Sequence, residues 1–216
     1  MDQRLRDAWT RVIEPDDIDL HLHNVGQARA NAELVAEMLA GSRRGDRVLF
    51  AGAGTGQMFD YVDASFLAGR DLVFTDINPR YLAKLDARAG SAGLRYRAVL
   101  DDIEETALDE RFDIVVVVLV LEHVEWRRSL RTIAGWQPRS VHVVTQRNPP
   151  EIATAVTPGR VLPGTLAEFA RTAHPVLVDE GELRAAMAAL GFRVECCRER
   201  PVADGKAMIG TSFTRA

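Results

Sequence analysis

Between Asn24 and Gly41, apolar residues fall at Val25, Ala28, Ala32, Val35 and Leu39, a helical spacing that predicts an amphipathic helix ended by Gly41. Asn24 with Gln27 three residues on has the form of a capping box that would open it. From Arg47 the period changes. Arg47 to Ala51 reads as a buried strand leading into a turn with three glycines, then a helix from about Gln57 to Leu67. "DLVFTDI" is a second strand, "NPRYLAKLDARAG" a helix with Pro79 in its first turn and Gly90 after its end, and "LRYRAVLDD" a third strand.

"FDIVVVVLVLEHV" is continuously apolar and rich in β-branched residues, the pattern of a central parallel strand covered on both faces. A helix from about Glu125 to Ile133, the strand "SVHVVTQ" and the helix "DEGELRAAMAALGF" continue the alternation. "RVECCRER" and "KAMIGTSFTRA", joined across Pro201 to Gly205, predict an antiparallel pair at the sheet edge. Asn148 to Thr165, with four prolines and two glycines, is predicted to be irregular, either a binding lid or an inert connection. The order predicts an α/β protein: one mostly parallel twisted sheet flanked by helices, with an antiparallel C-terminal hairpin.

Composition fits one soluble globular domain: 216 residues, 47% hydrophobic and 27% charged. The N-terminal segment lacks the uninterrupted apolar core of an export signal, and the longest apolar run, Ile114 to Leu121, is strand length, so no membrane span is expected. Cys196 and Cys197 are neighbours, where a disulfide would be strained, which fits a reducing, cytoplasmic setting. A formal net charge of -4 disfavours nucleic acid as a partner and favours a small molecule.

A parallel α/β sheet binds ligands beyond the carboxyl ends of its strands. Gly52, Gly54 and Gly56 form a GxGxG turn there, where the backbone can approach a ligand closely. Asp76 ends the second strand and faces the same crevice, where a carboxylate can accept the hydroxyl protons of a ribose. The pair predicts a nucleoside ligand. A nicotinamide dinucleotide shares both features, but its GxGxxG turn would want a small residue at Gln57.

With "VLFAGAGTG", "FTDINPRYL", "AVLDDIEE", "FDIVVVVLVLEHV" and the final hairpin in this order, the chain from about Val48 onward resembles the class I S-adenosylmethionine-dependent methyltransferases. The resemblance implies their Rossmann-like single-domain fold, with residues 1–45 as a helical lid or cap and residues 46–216 as the cofactor-binding domain. It implies that Gly52, Ala53, Gly54 and Gly56 pass under the methionine part of S-adenosylmethionine. Asp76 and Ile77 would hold the ribose, Asp102 and Ile103 would bracket the adenine, and Leu119 with Val120 would line the floor. Phe50 stands where the family usually carries Asp or Glu, and Gln57 is placed to offer replacement polar contacts.

The expected chemistry is methyl transfer to an oxygen, nitrogen or carbon of a small-molecule acceptor. His123, at the end of the fourth strand, is the first candidate for a general base, since an imidazole titrates near neutral pH; the alternative is that it only caps or packs. Trp9, His21, His23, Trp126, Gln146 and Arg147 are candidates for the acceptor pocket. His21 and His23 lack the further ligands a metal site needs, so no metal is expected. "RNPPE" follows the fifth strand rather than the fourth and lacks an aromatic after its prolines, so base methylation is not inferred. A noncatalytic cofactor-binding partner or sensor is the alternative from another class. The acceptor's identity and the oligomeric state have no readable code in the sequence.

Overall fold

The computed structural model describes residues 3–157, 160–172 and 175–216. Five parallel strands, β1 (Arg47–Ala51), β2 (Asp71–Asp76), β3 (Tyr96–Leu100), β4 (Ile114–Val118) and β5 (Ser140–Arg147), are joined by the antiparallel pair β6 (Phe192–Pro201) and β7 (Ala207–Arg215). They form one seven-stranded sheet in the order β3-β2-β1-β4-β5-β7-β6. The helices are α1 (Gln3–Asp7), α2 (Pro15–Asn24), α3 (Gln27–Leu39), α4 (Pro79–Ser91), α5 (Trp126–Gly135), α6 (Gly164–Thr172) and α7 (Glu180–Ala189).

Alternate residues of the central strands serve opposite layers. Leu49, Ala51, Val115, Val117, Val141 and Val143 pack with Leu130 and Ile133 of α5 and Leu183 and Met187 of α7. Val48, Phe50, Leu72, Phe74, Ile114 and Val116 pack with Leu34, Val35, Met38 and Leu39 of α3 and Leu85 and Ala89 of α4. This double cover is why the fourth strand reads as an unbroken apolar run. The order reverses between β1 and β4, which opens a crevice where their carboxyl ends diverge.

Five local expectations are corrected. Asn24 does not cap α3; it is the last residue of α2, and the N-cap of α3 is Gly26 at φ 79, with no side-chain cap. The helix expected from Gln57 to Leu67 is instead two 3-10 turns, Gln57–Asp60 and Ala64–Leu67, because Asp63 accepts the Ser65 amide (2.9 Å) and starts a new turn. Gly90 lies inside α4, which ends at Ser91. β4 stops at Val118, since Leu119 takes φ 53, and this leaves His123 in a 3-10 turn beyond the strand. The segment after β5 begins irregularly and then forms α6, whose start at Gly164 falls within the stretch expected to be irregular. No helix among the described residues is long and apolar enough to cross a membrane.

Candidate active site

At the end of β1 the chain turns through Gly52 (φ 71) and Gly54 (φ 59). A Cβ on Gly52 would lie 2.4 Å from Val120 Cγ2, so only glycine lets this turn pass beside the end of β4. A Cβ on Gly54 would meet nothing within 4 Å, because that face opens into a cavity. Gly54 N–H donates to Asp76 Oδ2 and Asn78 N–H to Asp76 Oδ1, both at 2.9 Å. The carboxyl therefore ties the glycine turn to the end of β2, and burial pushes its pKa up to about 6. With the Ile77 N–H also against it, the carboxyl keeps about one of its roughly four lone-pair sites for a ligand. Asn78, not Asp76, caps α4, by accepting the Arg80 amide (2.9 Å).

The cavity is about 290 Å³ and lies beyond the ends of β1, β2, β4 and β5. Asp102 borders it with Oδ1 accepting the Glu104 amide at 2.9 Å and Oδ2 facing Arg6 of α1 at 2.5 Å. Ile103 lies beside it, buried in the core. Leu119 holds its strained backbone with its N–H donating to Val144 O at 2.9 Å. An apolar roof comes from two distant segments: Trp9, Ile18 and Leu22 before the first strand, and Leu162, Leu166 and Phe169 after the fifth.

Several buried polar atoms bordering this cavity have no hydrogen-bond partner: Asn31 Oδ1, Gln57 Oε1, Glu122 Oε2, His123 Nδ1 and Trp9 Nε1. Unpaired buried polar atoms are costly unless a ligand completes them. Glu122 is fixed on one side only, Oε1 accepting the Gln146 amide at 3.0 Å, and burial pushes its pKa up to about 7. Burial drives His123 the other way, down to about 4, so it does not titrate near neutral pH as expected from sequence. Its ring stands edge-on to Trp9, with centroids 4.7 Å apart.

Residues 48–137, which include the glycine turn, Asp76, Asp102 and the end of β4, match a family model described as a methyltransferase domain. This stretch, under half of the chain, is therefore similar to the methyltransferase-domain family. No curated protein matches the sequence. The methyltransferase fold is shared with magnesium protoporphyrin IX methyltransferase from Synechocystis PCC 6803 with bound S-adenosylhomocysteine, at 15% identity over 99% of this chain and 93% of that one, TM-score 0.68. It is shared equally with the N-methyltransferase NodS from Bradyrhizobium japonicum WM9, at 15% identity over 99% and 97%, TM-score 0.68. The 4+2 cyclase SpnF has the fold too, at 17% identity over 85% and 80%, TM-score 0.62.

The cavity collects Gly52, Ala53, Gly54, Gln57, Asp76, Ile77, Asp102, Ile103, Leu119 and His123, together with Trp9, His21 and Gln146. Gly56 lies behind it, its Cα side against Leu85. Three expected pocket residues lie elsewhere. Trp126 is in the core beneath α5, Arg147 is exposed and paired with Glu180 (3.3 Å) and Glu199, and His23 is exposed with Nδ1 2.6 Å from the Tyr61 hydroxyl. Among the described residues no group of His, Cys, Asp or Glu is placed to hold a metal. Asn31 and Glu122 went unread. Asn31 interrupts the apolar face of α3, a detectable signal; Glu122 hides within the "LEHV" run, where only the fold shows which way it faces.

Proposed function

We propose that this methyltransferase transfers the methyl group of S-adenosylmethionine to an oxygen, nitrogen or carbon nucleophile of a small molecule. The observation that carries the reading is the glycine turn tied to Asp76 at the floor of a roofed cavity. In this reading Gly52, Ala53, Gly54 and Gly56 run beneath the methionine end, Asp76 and Ile77 take the ribose, Asp102 and Ile103 the adenine, and Leu119 the floor. Phe50 packs against Phe74 with ring centroids 4.9 Å apart and offers the cofactor's ammonium nothing. The free oxygens of Asn31 and Gln57 supply that contact instead. The bound cofactor supplies an electrophilic methyl carbon on sulfur; the protein holds a nucleophile in line with it and excludes water.

Residues 1–45 divide in this reading: α1, α2 and the turn between them cap the site, while α3 belongs to the core. The free Cys196 and Cys197 fit a reducing, cytoplasmic compartment. A cofactor-binding module without methyl transfer is the second reading, favoured by Phe50 at the usual acidic position.

The test is thermal melting with S-adenosylhomocysteine, S-adenosylmethionine and NADH. A ligand at about a hundred times its dissociation constant adds roughly 2.7 kcal/mol to the folded state, a rise of several degrees. Both adenosyl compounds should give it and NADH should not. Asp76→Asn should reduce the shift, and Asn31→Leu and Gln57→Ala should each weaken binding. No shift with either adenosyl compound would sink both readings, whereas a shift without S-adenosylhomocysteine release from any acceptor pool would leave the binding module.

A further inference from the structure

We infer that the methyl acceptor is an uncharged, largely apolar molecule whose O–H or N–H nucleophile donates to Oε2 of Glu122, which takes its proton. The inference rests on the methyl-transfer reading and deepens it.

Among the described residues, the charge of the cavity disfavours an anionic acceptor. The chain has 27 Lys and Arg residues, yet no lysine or arginine borders the cavity among the described residues. Five carboxyl groups do: Asp19, Asp76, Asp101, Asp102 and Glu122. The nearby cations are held by other partners: Arg6 by Asp102, Lys84 and Arg88 by Asp19, and Arg160 by Asp204, while Lys206 donates to Ala155 O. A carboxylate or phosphate on the acceptor would lose its water under the roof, find no lysine or arginine among the described lining residues and face the carboxyl groups. The walls available to the body of the acceptor are Ile18, Leu22, Leu162, Leu166 and Phe169, with the ring of Trp9. Such a lining with few convergent polar groups selects an apolar molecule.

Glu122 is the polar group built for the nucleophile. One oxygen accepts the Gln146 backbone N–H, the other is buried without a hydrogen-bond partner, and the residue borders the cavity. Gln146 is itself locked: its Oε1 accepts from Gln27 (2.7 Å), and its Nε2 donates to Asn148 (2.7 Å) and to Ala155 O (2.9 Å). In the transfer the new bond joins the acceptor oxygen or nitrogen to the methyl carbon. The carbon–sulfur bond breaks, its electron pair returns to sulfur as a neutral thioether, and the acceptor's proton passes to Glu122 and then to water. A carboxyl held near 7 suits this exchange at neutral pH better than an imidazole held near 4.

The experiment uses the full chain saturated with S-adenosylhomocysteine and measures binding of matched probes: 2-naphthol and 4-phenylphenol against 6-hydroxy-2-naphthoic acid and 4-phenylphenyl phosphate. The neutral probes should bind at least tenfold tighter than their anionic partners. With S-adenosylmethionine, the bound neutral probes should be methylated. Glu122→Gln should lower kcat about 100-fold, with KM and cofactor affinity within threefold, and Glu122→Asp should fall between. The cofactor's own melting shift reports whether each variant is folded. Equal or tighter binding of the anions, or no binding of the neutral probes while the cofactor still shifts melting, would overturn the acceptor class and leave the methyltransferase reading standing. Unchanged kcat in a folded Glu122→Gln would overturn the role of Glu122, whereas no methylated product from bound neutral probes would overturn the methyl-transfer reading on which that role rests.

Discussion

Glu122 shows how a single residue acquires chemistry from its surroundings. Burial stabilises the neutral form of its carboxyl and raises its pKa from 4.5 to about 7, against the Gln146 N–H, which favours the ionised form. A raised folded-state value means that the stabilising contribution is fully present below pH 4.5 and is lost as pH rises through 7. Glutamine keeps the accepting oxygen and never ionises. Glu122→Gln should therefore melt closer to the wild type, or below it, at pH 5, and gain on it by up to about 3 kcal/mol by pH 8. His123 runs in the opposite sense, losing stability as pH falls towards 4, but it is common to both proteins and cancels in the difference. Melting both proteins across this range checks it; a gap independent of pH would mean that Glu122 ionises freely. None of this was legible from sequence, because the groups that bury Glu122 and His123 come from segments far away along the chain.

The elements were legible to very different degrees, and the difference follows the number of faces buried. β1, β2, β4 and β5 are covered on both sides, so their apolar runs are unmistakable, and α4 carries Asn78 and Pro79 at its start. The stretch from Gln57 to Leu67 spreads its apolar residues at a spacing compatible with a helix, yet Asp63 captures a local amide and divides it. The glycine turn was the most readable element of the site because its positive φ angles at Gly52 and Gly54 are written in the residue type, although the contact behind Gly52 is distant in sequence. Gly52→Ala places a methyl 2.4 Å from Val120 Cγ2 on a backbone at φ 71. The change should cost about 2–4 kcal/mol in denaturant unfolding and abolish the cofactor's melting shift. Adding Val120→Ala should return the part due to the clash and leave the backbone strain. If the double variant is no more stable than the single one, the contact with β4 is not what demands glycine there.

Taken as a whole, the molecule is a rigid sheet with a roof attached by polar contacts around an apolar underside. Asp19 of α2 meets Lys84 (2.6 Å) and Arg88 (2.9 Å) of α4 and accepts from Thr55 in the glycine turn. Asp17 accepts from the amide and hydroxyl of Thr165 (2.7 and 2.6 Å), so α2 holds the start of α6. On the other side Arg160 pairs with Asp204 at 2.6 Å, and Lys206 donates to Ala155 O at 2.7 Å. The core of the sheet shares few of these contacts, so the roof is the part able to open while the sheet stays folded. That is the motion a buried cavity needs for an acceptor to enter and a methylated product to leave. Asp19→Ala removes the central clasp. It should lower global stability by only about 2 kcal/mol, less than a fully buried pair would cost because Lys84 and Arg88 are partly exposed. Hydrogen exchange should speed up by tenfold or more in α2 and in residues 55–57, with β1, β4 and β5 unchanged. If S-adenosylhomocysteine binds as proposed, between roof and turn, it should slow exchange in the same segments of the wild type. Uniform acceleration throughout the sheet would show instead that roof and core unfold as one unit, and acceptor entry would then need a route through the roof rather than beneath it.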